Sequence, residues 1–197
     1  VAALRAGAPT PLVAELQARE LARADRLFDA RRYVEARSAY DAVRAGASGA
    51  DAVKAAVRSG AADYFQGKHR AAVDALAPWL DQAPHAAEAR YYHLRSMRAL
   101  GQREPYVAAV RDLAERFPNS PWSAEALNHL ASYFIVDDQD DRALEVFARV
   151  LDQHPTHRHA ERAAWKLGWA QPAPFRLGRR LRASLAWQRS LLPMWSV

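Results

Sequence analysis

The apolar positions of this chain fall in alanine-rich, aromatic-punctuated segments broken by Gly, Pro and Asn, and none alternates with polar positions in the two-residue period of a strand. The pattern predicts helices near 11–30, 34–45, 51–66, 69–82, 86–100, 104–117, 121–136, 140–153 and 157–170. Local signals agree with these limits. Thr10-Pro11 and Ser120-Pro121 each place a capping hydroxyl before a proline at the first helical turn. Gly46-Ala47-Ser48-Gly49, Gly67 and Gly101 fall where helices end or turn. Pro78 lies inside the fourth segment and is expected to kink it.

The segments repeat. Ala36, Ala72, Ala109 and Ala143 follow one another at 36, 37 and 34 residues, and four residues after each stands Tyr40, Leu76, Leu113 or Phe147. Twelve residues after each comes a helix stop at Ser48, Pro84, Pro121 or Pro155. Twelve before stand Ala24, Gly60, Met97 (beside Ser96) and Ala131. Gly168 is 37 after Ala131 and takes the same slot in a fifth unit, although glycine costs a helix about 1 kcal/mol against alanine. Each unit therefore reads as two antiparallel helices. The alanine and its i+4 partner share one face, and the small residue upstream lets the first helix approach the second. A single pair cannot bury its apolar face, so neighbouring pairs stack.

These offsets resemble the tetratricopeptide repeat, over roughly residues 20–170. The resemblance implies an all-α, right-handed superhelix of about four and a half helix pairs. It divides the chain into a lead-in at 1–20, a superhelical domain at 20–171 and a basic tail or capping helix at 172–197. Three phrases carry a closer likeness: A-E-A-R-Y-Y-H-L-R-S-M-R-A-L-G at 87–101, E-R-F-P-N-S-P-W-S-A-E-A-L at 115–127 and A-E-R-A-A-W-K-L-G-W-A at 160–170. Together they resemble the N-terminal superhelical region of bacterial soluble lytic transglycosylases; other tetratricopeptide-like envelope proteins share the F-P-x-S turn. That resemblance implies a setting in the bacterial periplasm or cell envelope and a role in peptidoglycan metabolism. The family's chemistry sits in a separate module marked by a Glu-Ser pair and a glycine-rich stretch, and neither occurs here. No catalytic residue is carried over. The likeness ends at Gln171, beyond which the repeat spacing would put Arg180 at the alanine slot.

Composition narrows the partners. There are no cysteines, so disulfides and thiolate metal sites are excluded. No run of 18 apolar residues occurs, residues 1–20 lack the apolar centre of a signal peptide, and a chain opening on Val1 reads as a mature form or a fragment. The net charge of +6 lies mostly in residues 172–197, which hold Arg176, Arg179, Arg180, Arg182 and Arg189 and no Asp, Glu or Lys. The first 171 residues carry 23 basic and 22 acidic side chains, an ordinary solvated surface. Nucleic acid is not an expected partner.

In tetratricopeptide superhelices the slots three before and one after the small residue line the concave groove. Here they hold Val57 and Ala61, Leu94 and Arg98, Asn128 and Ser132, and Trp165 and Trp169, with Tyr64, Tyr91, Glu125 and Arg162 on the same faces. The candidate binding residues are Tyr64, Tyr91, Arg98, Asn128, Ser132, Arg162, Trp165 and Trp169, for a protein partner or a peptidoglycan strand; packing between repeats is the alternative use of each. Two uncovered indoles would expose on the order of 300–500 Å², so Trp165 and Trp169 need a cover. Leu177, Leu181, Leu185 and Trp187 of the tail could supply it as a capping helix, and the same tail could instead lie on an anionic membrane. His154, His157 and His159 read as a solvated turn, since no carboxylate or cysteine completes a metal-binding spacing. The aspartates at 137, 138, 140 and 141 read as a helix N-cap with favourable dipole charge rather than a calcium loop. No cofactor and no nucleophile–base set is expected. The sequence thus points to a non-catalytic scaffold. The alternatives are a protein-binding adaptor of envelope or cytosol, or a fragment of an active lytic transglycosylase.

Overall fold

The computed structural model describes residues 11–82 and 84–169, and among them every regular element is helical. In chain order these are α1 (Pro11–Asp29), α2 (Tyr33–Gly46), α3 (Gly49–Phe65), α4 (His69–Leu76), α5 (Ala86–Ala99), α6 (Arg103–Arg116), α7 (Pro121–Val136), α8 (Asp140–Gln153) and α9 (Ala160–Trp169). Thr10 and the tail at 172–197 lie outside the described residues, as does the side chain of Trp169. Most limits fall within two residues of expectation, and two differ by more. Pro78 ends its helix instead of kinking it: α4 closes at Leu76 and tightens into a 3-10 turn, Ala77–Trp79, because proline has no N–H for the helical ladder. Helix α9 starts at Ala160, not 157, because His157 N–H donates to the His154 carbonyl and Ala160 N–H to the His157 carbonyl, closing two tight turns first.

Four turns share one geometry. Arg31, Gly67, Gly101 and Asp138 adopt left-handed backbone, with φ of 59°, 75°, 77° and 53°. Each donates its N–H to the carbonyl three residues back, at 2.9–3.2 Å, and the next residue donates five back: Arg32 to Leu27, Lys68 to Asp63, Gln102 to Met97 and Gln139 to Phe134. This is the Schellman closure of a helix, which satisfies carbonyls the helix leaves free. The four left-handed residues are 36, 34 and 37 apart, and the buried residue five positions after each is Ala36, Ala72, Tyr106 or Ala143. The third unit therefore departs from the alanine reading. Tyr106 takes the slot expected for Ala109, which is only half-buried, and Leu94 takes the small-residue slot expected for Met97. The turn sets the phase, and the neighbouring alanines of α6 misled the spacing.

The chain divides into two compact units, Val1–Ala109 and Val110–Val197, with the division inside α6. In the first unit, consecutive helices from α1 to α5 pack on one another, and α3 also packs on α1 and α5. The approach is closest at Gly60, where an added Cβ would sit 2.7 Å from Leu76 Cγ. An aromatic cluster joins the helix ends: Phe28 meets Tyr33, Tyr40 and Phe65 edge-on, and Tyr33 stacks on Phe65 at 4.6 Å. Charged pairs cross the junctions. Tyr40 Oη donates to Asp25 Oδ1 at 2.6 Å and Lys54 Nζ pairs with Asp25 Oδ2 at 2.6 Å, tying α1, α2 and α3. Arg37 pairs with the buried Asp63 at 2.7 Å, and Arg58 with the buried Glu88 at 2.6 Å. Burial raises the Glu88 carboxyl, and Arg58 and His85 offset this only in part.

In the second unit α7 packs on α8 and α8 on α9. Helix α7 begins as expected, with Ser120 Oγ accepting from Trp122 N–H ahead of Pro121. The aspartate run behaves differently from its reading. Gln139, not an aspartate, precedes α8, and it makes no side-chain cap bond; Asp138 is the left-handed turn residue. Only Asp140 and Asp141, in the first turn, meet the helix dipole as anticipated.

Opposite outcomes are expected at two glycines. Gly60→Ala gains about 1 kcal/mol of helix propensity but overpacks against Leu76 at about 1–3 kcal/mol, a net loss. At Gly168 a Cβ meets no described atom within 4 Å, so Gly168→Ala stabilises by up to about 1 kcal/mol; chemical denaturation of both variants decides. Arg31→Gly relieves left-handed strain of about 1 kcal/mol and raises the unfolding midpoint, whereas Asp138→Gly gains less because aspartate tolerates that backbone. Burial works to raise the Asp25 carboxyl, but the bonds from Lys54 and Tyr40 outweigh it and hold it below the ordinary value. Its contribution is therefore complete above about pH 3.9 and lost as pH falls through the lower folded value. Asp25→Asn should flatten the acid limb of a stability-against-pH curve.

Candidate functional site

The phase set by the turns shows what the proposed groove slots do. Three residues before each small position stand Leu21, Val57, Tyr91, Asn128 and Trp165. The first four are buried; Tyr91 is 8% exposed and Asn128 6%. Their side chains are packed into the interior and offer a ligand little surface. Trp165, in the same slot of the last described helix, is 53% exposed.

In the first unit the candidates are engaged with neighbours. Tyr64 Oη accepts from Arg95 Nη2 at 2.8 Å, and its ring lies against Phe65, His69 and Tyr92. The Arg98 guanidinium lies over the Tyr106 ring, 5.7 Å from its centroid.

In the second unit Ser132 is half-buried and donates to its own helix, at the Asn128 carbonyl, while Arg162 is exposed. Trp165 borders a cleft of about 290 Å³ among α7, α8 and α9, whose apolar wall is Ile135, Ala143, Leu144 and Phe147. Asp140 and Lys166 stand at its polar rim, and the Lys166 ammonium lies over the indole, 5.2 Å from its centroid. An apolar wall with one charge of each sign at the rim suits an amphipathic segment, with a hydrophobic side chain inside and polar flanks outside. Ile135 and Leu144 were missed from sequence. Their signal was present, since Ile135 is four residues after the small slot, as Tyr64 is, but the slot's orientation needs the fold.

The histidine turn is more than a solvated turn. Glu125, on α7, reaches it: Arg158 Nε donates to Glu125 Oε1 at 2.8 Å, and His159 Nε2 lies 3.0 Å from Oε2. His157 Nε2 is 3.6 Å from Oε1, and His154 is buried behind. Burial would raise the Glu125 carboxyl, but the bonds from Arg158 and His159 prevail and hold it below the ordinary value. Glu125 and His159 are 34 residues apart, one repeat, which hid their meeting from any local spacing rule.

A scan against protein-family models and a search of curated proteins find no match. Among solved structures, MamA MSR-1 C2, a tetratricopeptide-repeat protein, is similar with a TM-score of 0.51 and 20% identity, over 88% of this chain and 98% of that one. At this identity the likeness concerns the fold. Together with the helix order and repeating turns, it makes the chain an all-α, tetratricopeptide-like helical repeat.

Proposed function

We propose that this chain is a non-catalytic scaffold that binds a protein partner, seating an apolar side chain of that partner in the α7–α8–α9 cleft. The observation that carries the reading is Trp165: a large indole, 53% exposed, beside an apolar wall in a fold that buries the same slot four times over. A concave apolar cleft with a few polar groups at its edge is the kind of place where ligands and partner side chains bind, and tryptophan is among the residues whose removal most often costs an interface dearly. The engaged ionisable groups of both units serve helix junctions, which suits a scaffold.

The test begins with a photo-reactive phenylalanine analogue at position 165 in cells of the source organism, and the crosslinked protein is then purified. Trp165→Ala should weaken binding of that purified partner by about 30-fold or more, and Asp152→Ala, at the other end of α8, should leave it unchanged. Equal binding by both variants would overturn the reading.

A second reading takes the occupant to be a peptidoglycan strand and the setting to be the bacterial envelope or periplasm. It rests on the sequence phrases at 87–101, 115–127 and 160–170. Co-sedimentation with purified sacculi that Trp165→Ala abolishes would favour it over a protein partner. Release of anhydro-muropeptides by the purified chain would count against a non-catalytic role.

A further inference from the structure

The geometry points to a divalent transition-metal site at the α7–turn–α9 junction, in which Glu125, His157 and His159 bind zinc or a cation of similar preference. The three side chains each offer one ligand atom, and these atoms lie within 4.8 Å of one another. Glu125 Oε2 is 3.0 Å from His159 Nε2 and Glu125 Oε1 is 3.6 Å from His157 Nε2. Ligands about 2.0–2.1 Å from a tetrahedral zinc stand about 3.3 Å apart; the two distances run to different oxygens of Glu125, so ligation through one oxygen draws together ligand atoms that now lie within 4.8 Å of one another. Two imidazoles and one carboxylate select zinc, copper or nickel over magnesium or calcium, which prefer all-oxygen sites. Three protein ligands leave a fourth position for water.

The site is built from two places that the repeat brings together. Glu125 comes from the first turns of α7, and both imidazoles from the turn that leads into α9. All three are half-buried, so their rotamers are restrained before any ion arrives. Behind them His154 is buried, with its Nε2 lacking a hydrogen-bond partner, and its ring lies 6.3 Å from that of His157.

Two features oppose the ion and make the proposal specific. Arg158 now holds Glu125 Oε1, at 2.7 Å from its Nη2, and its positive charge repels a cation. Its side chain is 71% exposed, so it can swing into water when metal arrives. His157 Nδ1 accepts a long bond, 3.4 Å, from the His159 N–H. Ligation through Nε2 puts the proton on Nδ1 and gives up that weak contact. Bound metal would pin the entry of α9 to α7 and so brace the helix that carries Trp165.

Zinc titration of the full chain by calorimetry, from a metal-stripped sample, tests the site. One ion per chain is expected, with a rise in thermal midpoint on adding zinc and no competition from magnesium or calcium. Glu125→Gln, His157→Ala and His159→Ala should each weaken zinc binding at least tenfold, while Arg158→Ala should tighten it. Cobalt in place of zinc should give the strong visible absorption of four-coordinate geometry. Circular dichroism of each apo variant separates lost ligands from lost fold, and His159→Ala, on the turn, leaves α7 intact. Absence of saturable zinc binding in the unmodified chain, or binding unchanged in the His157→Ala/His159→Ala double variant, would overturn the proposal. Neither result depends on whether Trp165 contacts a partner.

Discussion

A single backbone requirement organises each helix pair: the chain must reverse within three residues without leaving helical carbonyls unbonded. The Schellman closure meets it, with one left-handed residue and two backward hydrogen bonds, at Arg31, Gly67, Gly101 and Asp138. Because the following helix starts a fixed distance after that residue, its first fully buried position follows at a constant five residues. The turn is thus the ruler of the repeat, and the packing slots are read from it. Where glycine sits at the turn the conformation is free of strain. At Arg31 and Asp138 the same geometry is imposed by the pairing of helices on either side.

From this ruler the side-chain arrangement follows. A small residue seven positions before the turn faces the second helix, and at Gly60 the contact with Leu76 is too close for any Cβ. Larger side chains fill both slots of the third unit, Leu94 and Tyr106, without disturbing the turn. Around these apolar seams the first unit adds ion pairs that join helices rather than decorate them. Asp25 touches both α2 and α3, and Arg58 spans from α3 to Glu88 on α5 while lying over Phe28. Buried partners of this kind fix which helix faces which, because an orphaned charge would cost far more than a displaced methyl group.

Much of the fold was legible. Proline placement, glycine turns and apolar spacing act within one or two helical turns, so the helix limits came within three residues of those observed except at the end of α4, which Pro78 closes six residues early. The period was legible too, because Ala36, Ala72 and Ala143 keep it. What failed was phase in the third unit, where Ala109 imitated a slot that Tyr106 holds. The candidate site was legible in one residue, Trp165. Burial of Tyr91 and Asn128 could not be read from their polar character, because it depends on helices tens of residues away.

The sequence by itself determined where the helices lie, that they come in pairs, and that the pairs repeat. These features depend on local backbone preferences and on spacings shorter than one unit. Only the tertiary structure decided which equivalent positions are interior and which are open, and that Glu125 meets His157 and His159 across 32 and 34 residues. The physical reason is stacking. A residue's surroundings in a repeat fold are supplied by the units before and after it, so one slot is core four times and surface at Trp165, and side chains one period apart become neighbours.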